Sequence, residues 1–292
     1  KFAFELSQAH ATPVILRLTT RVCHVKAPVT VGARVERQTA GFQRDPARWI
    51  LSPVNARRQL PLQAERERAL TAVSEATPLN FITPGSDRRL GIVTSGAAYL
   101  HVRECFPGLP VLKLGLSYPV PLGLVERFAA GVGELLVVEE TEPFVEQAIR
   151  AGGIAARGKD LLPRTGELTP EVLRLAVAPL LGEPAPSPLP YPAGNTFPRP
   201  PTLCAACPHS GIYYVLARLR KKVLISGDIG CYALGAGAPW HALDTVVAMG
   251  SSMGIALGLD KARGDADRSK AVIAVIGDST FLHMGMQGLL NI

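Results

Sequence analysis

Ala271-Val-Ile-Ala-Val-Ile-Gly-Asp-Ser-Thr-Phe-Leu-His283 sets six apolar residues directly before a Gly-Asp-Ser turn and a helical pattern. Unbroken Val/Ile runs of this kind mark strands buried on both faces of a parallel sheet, and open parallel sheets take their ligands at the carboxyl ends of such strands. The run therefore predicts a buried strand over 271–276 with Asp278 at its tip. Gly277 is expected to let the chain turn tightly and Asp278 to offer a hard oxygen ligand. Ser279 or Thr280 is expected to cap the next helix, whose first N–H groups attract an anion. A magnesium-bound diphosphate suits all three features. The same triplet is equally a plain N-cap in any α/β domain.

Composition narrows the classes. At 292 residues the chain has room for about two domains. Hydrophobic residues make up 47% and charged residues 19%, which excludes a disordered chain. Aromatic residues are only 6%, against 28 Gly and 25 Pro, which favours turn-rich α/β structure over an aromatic-cored β sandwich. Uncharged residues run unbroken from Thr245 to Leu259, 15 in all, short of the ~20 needed to cross a bilayer, so no membrane span is expected. No signal peptide is expected, and the expected setting is cytoplasmic. Of the net charge of +7, much comes from residues 34–68, where eight Arg face Glu36, Asp45, Glu65 and Glu67. Only Phe42 and Trp49 interleave with them, so the segment reads as a solvated helix face and no nucleic-acid partner is expected. Lys1 and Ile292 both fall inside helix-like runs, and an internal stretch of a longer protein is expected.

Three blocks follow along the chain. Residues 1–29 read as the last βα unit of a domain, with a helix end over 1–10 and a strand at Val14–Leu18. Residues 30–181 hold a connector, a helix over Leu62–Val73 and a compact unit. In that unit, strands at Leu90–Ser95, Val111–Leu114 and Glu134–Glu140 alternate with helices at Ala97–Cys105, Leu122–Ala130 and Phe144–Arg150. Alternation of this kind implies a parallel, right-handed sheet. Glu139, Glu140 and Glu142 stand at a strand end before a helix, where acids favour the helix N-terminus. From 182 to 201 eight prolines fall within twenty residues, an extended and exposed joint between domains.

The last block, 202–292, carries the marked chemistry. Cys204-Ala-Ala-Cys207-Pro-His-Ser-Gly211 leads into a helix over Ile212–Leu219 and a strand over Val223–Ser226. A glycine-rich loop, Gly227-Asp-Ile-Gly-Cys-Tyr232, follows at the strand end. Gly250, Gly254 and Gly258 fall on one helical face and predict a close neighbour, either another helix or a cofactor at the Ser251–Ser252 end. Cys204, Cys207 and Cys231 could give three thiolates to an Fe–S cluster or Zn2+, both of which usually take four ligands. His209 would complete a Zn site only in a tight geometry, and a packed Cys231 beside two plain thiols is the alternative.

Four motifs together, Cys-x-x-Cys-Pro-His-x-Gly (204–211), Gly-Asp-Ile-Gly-Cys-Tyr-x-Leu (227–234), Met-Gly-x-Ser (249–252) and Ile-Gly-Asp-Ser-Thr-Phe-x-His-x-Gly (276–285), resemble the large, thiamine diphosphate-binding subunit of indolepyruvate ferredoxin oxidoreductase. Asn55-Ala-Arg-Arg58, Gly91–Gly96, Leu112–Gly115, Val137–Glu140 and Thr165–Thr169 extend the resemblance upstream. It implies parallel-sheet α/β domains truncated at both ends. Residues 1–29 would be the end of a pyrimidine-binding domain and 30–181 a transketolase C-terminal-like middle domain. The diphosphate-binding domain would begin at 202.

The activity so implied converts an arylpyruvate and coenzyme A to an aryl-acyl-CoA and CO2 while ferredoxin is reduced, with a smaller beta subunit in a heterodimer or α2β2 assembly. A pyruvate or 2-oxoisovalerate enzyme is the neighbouring alternative, and a non-catalytic Zn or nucleotide-binding module the distant one. By motif, Asp278 would ligate Mg2+ on the diphosphate. Gly227, Asp228, Gly230, Cys231, Tyr232, Gly250, Ser251, Ser252, Gly277 and Ser279 would surround the cofactor. Cys204, Cys207 and Cys231 match the positions of 4Fe-4S ligands in related pyruvate enzymes. Cys204-Ala-Ala-Cys207 carries Ala where the family has Pro-Gly. Asn291, 13 residues after Asp278, comes too early to be the second Mg2+ ligand. The pyrimidine-activating glutamate and the ferredoxin-like cysteines would lie outside these residues, so this stretch alone is expected to be inactive.

Overall fold

Ile92 and Val93 are neighbours in one strand, both fully buried, and they belong to different cores. Successive strand side chains point to opposite faces, so a strand whose adjacent residues are both dry must be covered on both sides. That strand is the centre of the first of two compact units, Lys1–Pro190 and Tyr191–Ile292, in a computed structural model that describes residues 1–34, 41–184, 186–187 and 200–292. Most of the proline-rich joint expected over 182–201 lies outside the described residues. No helix among the described residues is long and apolar enough to cross a membrane.

The first unit opens with α1 (Phe2–His10), α2 (Thr20–His24), α3 (Pro46–Trp49) and the long α4 (Pro53–Ala76). Then come β1 (Phe81–Thr83), β2 (Leu90–Ser95), α5 (Ala98–Cys105), β3 (Val111–Leu114), α6 (Leu122–Ala129), β4 (Glu134–Val138), α7 (Phe144–Ala151) and α8 (Pro170–Val177). The sheet order is β1-β3-β2-β4, parallel except for β1, which runs antiparallel to β3. Leu173 and Val177 of α8 pack with Ile92, Leu136 and Val138 on one face, while Val125, Phe128 and Ile149 of α6 and α7 pack with Val93, Leu112 and Val137 on the other. Each such fully buried side chain stabilises the unit by about 1.5–3 kcal/mol before entropy is counted.

Polar residues hold the loops. Asn80 Nδ2 donates to the Ser74 and Leu116 carbonyls at 2.9 and 3.1 Å, and its Oδ1 accepts from Gly115 and Leu116 N–H at 2.8 and 2.9 Å. One buried amide thus ties the end of α4 to the loop after β3. Glu139 accepts from the N–H groups of Val145 and Glu146 at 2.8 and 2.9 Å, so it caps α7, as its place before a helix suggested. Burial nonetheless pushes the Glu139 carboxyl up, the two backbone donors offsetting only part of that desolvation.

One expectation in this unit fails, and one strand is new. The strand at Val14–Leu18 does not form, and Ile15, Leu16 and Leu18 are 89%, 71% and 64% exposed. A strand needs a neighbour for its N–H and C=O groups, and none of the described residues provides one there. The short β1 was not foreseen, because three residues between turns carry no periodicity.

The second unit contains α9 (His209–Leu219), β5 (Val223–Gly227), a 3-10 segment at Cys231–Ala236, β6 (Thr245–Val246), α10 (Ser251–Ala262) and β7 (Ala271–Ala274). A helical stretch closes it as α11 (Asp278–Thr280), a π segment at Phe281–Gly285 and α12 (Met286–Asn291). The sheet is parallel, in the order β6-β5-β7, with Ile225 opposite Ile273. Among the described residues the strand predicted as buried on both faces lies at one side of the sheet: Val272–Ile276 are half-buried and Ala271 is exposed. It is β5, in the middle, that is dry, with Ile225 and Ser226 fully buried.

Candidate active site at the strand tips of the second unit

β5 and β7 run side by side; Gly227-Asp228 closes β5, and Gly277-Asp278 follows β7 after Val275 and Ile276. At the tip of β5, Asp228 is 0% exposed, and its Oδ2 and Oδ1 accept from the N–H groups of Gly250 and Ser252 at 2.7 and 2.9 Å. It thereby holds the start of α10, whose N-cap Gly250 has φ 85°, a left-handed conformation suited to glycine. Ser251 closes the same turn, its Oγ donating to the Ala248 carbonyl at 2.7 Å. Ser252 Oγ is buried with no hydrogen-bond partner. A hydroxyl left so costs about 1–3 kcal/mol, which a bound polar group would recover.

At the tip of β7, Asp278 is exposed, and its Oδ1 accepts only the adjacent Ser279 N–H, at 2.8 Å. Gly277 has φ −73° and ψ 149°, an ordinary extended conformation, so the expected tight glycine turn is absent. What glycine provides there is room: a Cβ would come within 2.9 Å of the Tyr232 ring. Tyr213 lies under the loop, fully buried, and donates to the Tyr232 carbonyl. Burial pushes the Tyr213 phenol up to about 12. Gly254 and Gly258 do not meet the close neighbour predicted for them, since a Cβ at either would find nothing within 4 Å. The tight helix contact lies elsewhere, at Gly288, where a Cβ would be 2.7 Å from Met253 Cβ.

The cysteines stand apart from this. Cys204 and Cys231 are exposed, Cys207 is half-buried, and all are free thiols. Cys207 Sγ lies 3.2 Å from His209 Nδ1. Among the described residues no group of three or more His, Cys, Asp and Glu side chains is gathered to hold a metal ion. A 4Fe-4S cluster takes four ligands, and Cys204, Cys207 and Cys231 are not gathered into such a set among the described residues.

A magnesium diphosphate fits better. Asp278 offers a hard, exposed carboxylate at a helix start, and Ser252 Oγ, at the start of α10, is a buried hydroxyl without a partner. The start of α10 is poorly suited to the anion itself, because Asp228 already occupies two of its N–H groups with a buried negative charge. Sequence reasoning placed Asp228 against the cofactor but missed that its carboxylate is consumed internally. It also missed Tyr213, for which an isolated Tyr in a helix gives no signal.

A parallel sheet with a carboxylate just beyond its strands is an arrangement in which open α/β units take ligands. Residues 228–292 match the family model for the thiamine pyrophosphate enzyme C-terminal TPP binding domain. Over 99% of its length the chain is 37% identical to indolepyruvate oxidoreductase subunit IorA of Methanothermobacter thermautotrophicus, of which it covers 49%. Over 100% of its length it is 36% identical to IorA of Thermococcus kodakarensis, covering 50% of that subunit. A 2-oxoglutarate:ferredoxin oxidoreductase from Magnetococcus marinus is similar over 42% of this chain and 23% of that one, at 18% identity and a TM-score of 0.35, too low to bear on the fold. The chain is thus a relative of the IorA subunits and spans about half their length.

Proposed function

We propose that the full-length protein is the thiamine diphosphate-binding subunit of a 2-oxoacid oxidoreductase acting on arylpyruvates such as indolepyruvate. The reaction takes an arylpyruvate, coenzyme A and two oxidised ferredoxins to an aryl-acyl-CoA, CO2, a proton and two reduced ferredoxins. A smaller second subunit completes the assembly. The observation that carries the reading is the exposed Asp278 carboxylate at the tip of β7, inside the segment that matches the TPP-binding domain.

Thiamine diphosphate, when bound, supplies a nucleophilic carbon and an electron sink for decarboxylation. The chain's own part is to bind and place it. Asp278 would take Mg2+ on the diphosphate, a hard oxygen for a hard cation. Ser279 N–H keeps one Asp278 oxygen oriented, leaving the other for the metal. Ser252 Oγ would donate to a polar atom of the cofactor. Asp228 orders the start of α10 without touching the metal, and β5 keeps water from its underside by burying Ile225 and Ser226.

The test is anaerobic viologen reduction by the full-length protein with its partner subunit, supplied with thiamine diphosphate, Mg2+ and coenzyme A. Indolepyruvate turnover exceeding that of pyruvate and 2-oxoisovalerate supports the reading. Preference for either of the latter moves the protein to a neighbouring substrate class. No turnover, with zinc as the sole metal found, would leave a binding module instead.

A further inference from the structure

Gly230 and Gly277 stand at the two loop positions where glycine is usually explained by backbone freedom, yet neither backbone requires it. Gly277 has φ −73° and ψ 149°, and Gly230 has φ 165° and ψ −173°, both extended conformations open to other residues. Space is what both positions lack, and one side chain takes it. Tyr232 Cε1 would lie 2.4 Å from a Cβ at Gly230 and 2.9 Å from a Cβ at Gly277, where Tyr232 Oη is also 2.9 Å away. Real Cβ atoms do not approach so closely, so the ring fills the space that a side chain at either glycine would enter.

The ring is also held. Its Oη donates to the Ile229 carbonyl at 3.0 Å, and its own carbonyl accepts from the buried Tyr213 hydroxyl. The His209 ring flanks it, with centroids 6.0 Å apart. Tyr232 therefore cannot swing aside cheaply to admit a methyl group at either glycine. One loop contains Asp228, which fixes the start of α10, and the other leads directly to Asp278.

We infer that Tyr232 is a positioning residue: its ring is the spacer that sets the separation of the Asp228 loop and the Asp278 turn, and so presents the Asp278 carboxylate at a fixed place for Mg2+ diphosphate. This rests on the cofactor reading above. Tyr232 itself touches neither metal nor diphosphate in this role. It acts through Gly277, and a site whose supporting contacts loosen by a fraction of an ångström loses affinity before it loses its fold.

Calorimetric titration of the full-length protein with thiamine diphosphate at saturating Mg2+ tests it, using Tyr232→Phe, Tyr232→Ala, Gly277→Ala and the Tyr232→Ala/Gly277→Ala pair. Tyr232→Phe keeps the ring and is expected to stay within about 3-fold of the wild-type Kd, while Tyr232→Ala and Gly277→Ala each weaken binding by about 10-fold. The decisive comparison is the pair: with the ring gone, Gly277→Ala should add less than about 2-fold, because residues that share one contact are not additive. Wild-type affinity in Tyr232→Ala, or an equal Gly277→Ala penalty in both backgrounds, overturns the inference. Should Tyr232→Ala not fold, Gly277→Ala decides alone, and unchanged affinity there overturns it. A wild-type protein that gives no heat with thiamine diphosphate overturns the cofactor reading and this inference with it. Wild-type binding with insensitive variants overturns the inference only.

Discussion

Asp228 and Asp278 follow a glycine at the tips of two paired parallel strands, and they do opposite things. Asp228 is fully buried and spends both oxygens on backbone N–H groups, whereas Asp278 is exposed and accepts one N–H from its own neighbour. A buried carboxylate with two donors is a structural fastener, since any ligand would have to displace hydrogen bonds that nothing else can replace. An exposed carboxylate with an unused oxygen can meet a cation at little cost. The dipeptide is shared, and its surroundings differ. Among the described residues β5 lies between β6 and β7 and Asp228 beyond it is enclosed, while β7 pairs on one side and Asp278 beyond it is open.

The strongest way to break this contrast is Asp228→Ala. It strands the N–H groups of Gly250 and Ser252 and is expected to cost about 3 kcal/mol or more in urea unfolding of the full-length protein. Asp278→Ala, by contrast, should stay within about 0.5 kcal/mol. Equal costs would show that the two tips are not different. Asn80→Ala gives a control in the other unit: loss of its side-chain hydrogen bonds should destabilise that unit by about 3 kcal/mol without changing thiamine diphosphate affinity.

Tyr213→Phe removes the donor to the Tyr232 carbonyl and should cost about 1 kcal/mol. The wild-type protein should also lose stability as pH rises from the ordinary phenol value of 10.0 to about 12, because the unfolded chain ionises Tyr213 first while the folded chain keeps its proton. Tyr213→Phe should lack that part of the alkaline decline, measured by chemical unfolding across the range. The smallest effect belongs to Ser252→Ala. Removing an unpartnered buried hydroxyl should leave the cofactor-free protein as stable or up to about 1 kcal/mol more stable, while weakening thiamine diphosphate binding in calorimetry.

Much of the first unit could be read from sequence because its strands are dry on both faces and its helices amphipathic. Leu90–Ser95 and Val111–Leu114 appear where the apolar runs put them. Val14–Leu18 failed for the opposite reason: the run is apolar, but strand formation depends on a partner, which a local pattern does not report. The run at 271–276 located its strand but not its burial, since unbroken Val and Ile look alike at the centre and the edge of a sheet. At the site, the Gly-Asp motifs marked both tips, yet neither the internal use of Asp228 nor the shared obstacle facing Gly230 and Gly277 could be seen, because both depend on residues brought together from separate loops. The glycines at 254 and 258 misled in the same way, the close contact falling at Gly288 instead.

The central claim is that Asp278, and not Asp228, is the carboxylate that meets Mg2+ diphosphate. Its most direct test is calorimetric titration of the full-length Asp278→Asn protein with thiamine diphosphate in the presence of Mg2+, beside thermal unfolding of the same sample. The account predicts that Mg2+-dependent binding is lost while the cofactor-free melting temperature stays within about 2 °C of the wild type, one anionic ligand having been replaced by a neutral one of the same shape. Unchanged affinity for thiamine diphosphate in Asp278→Asn would contradict it.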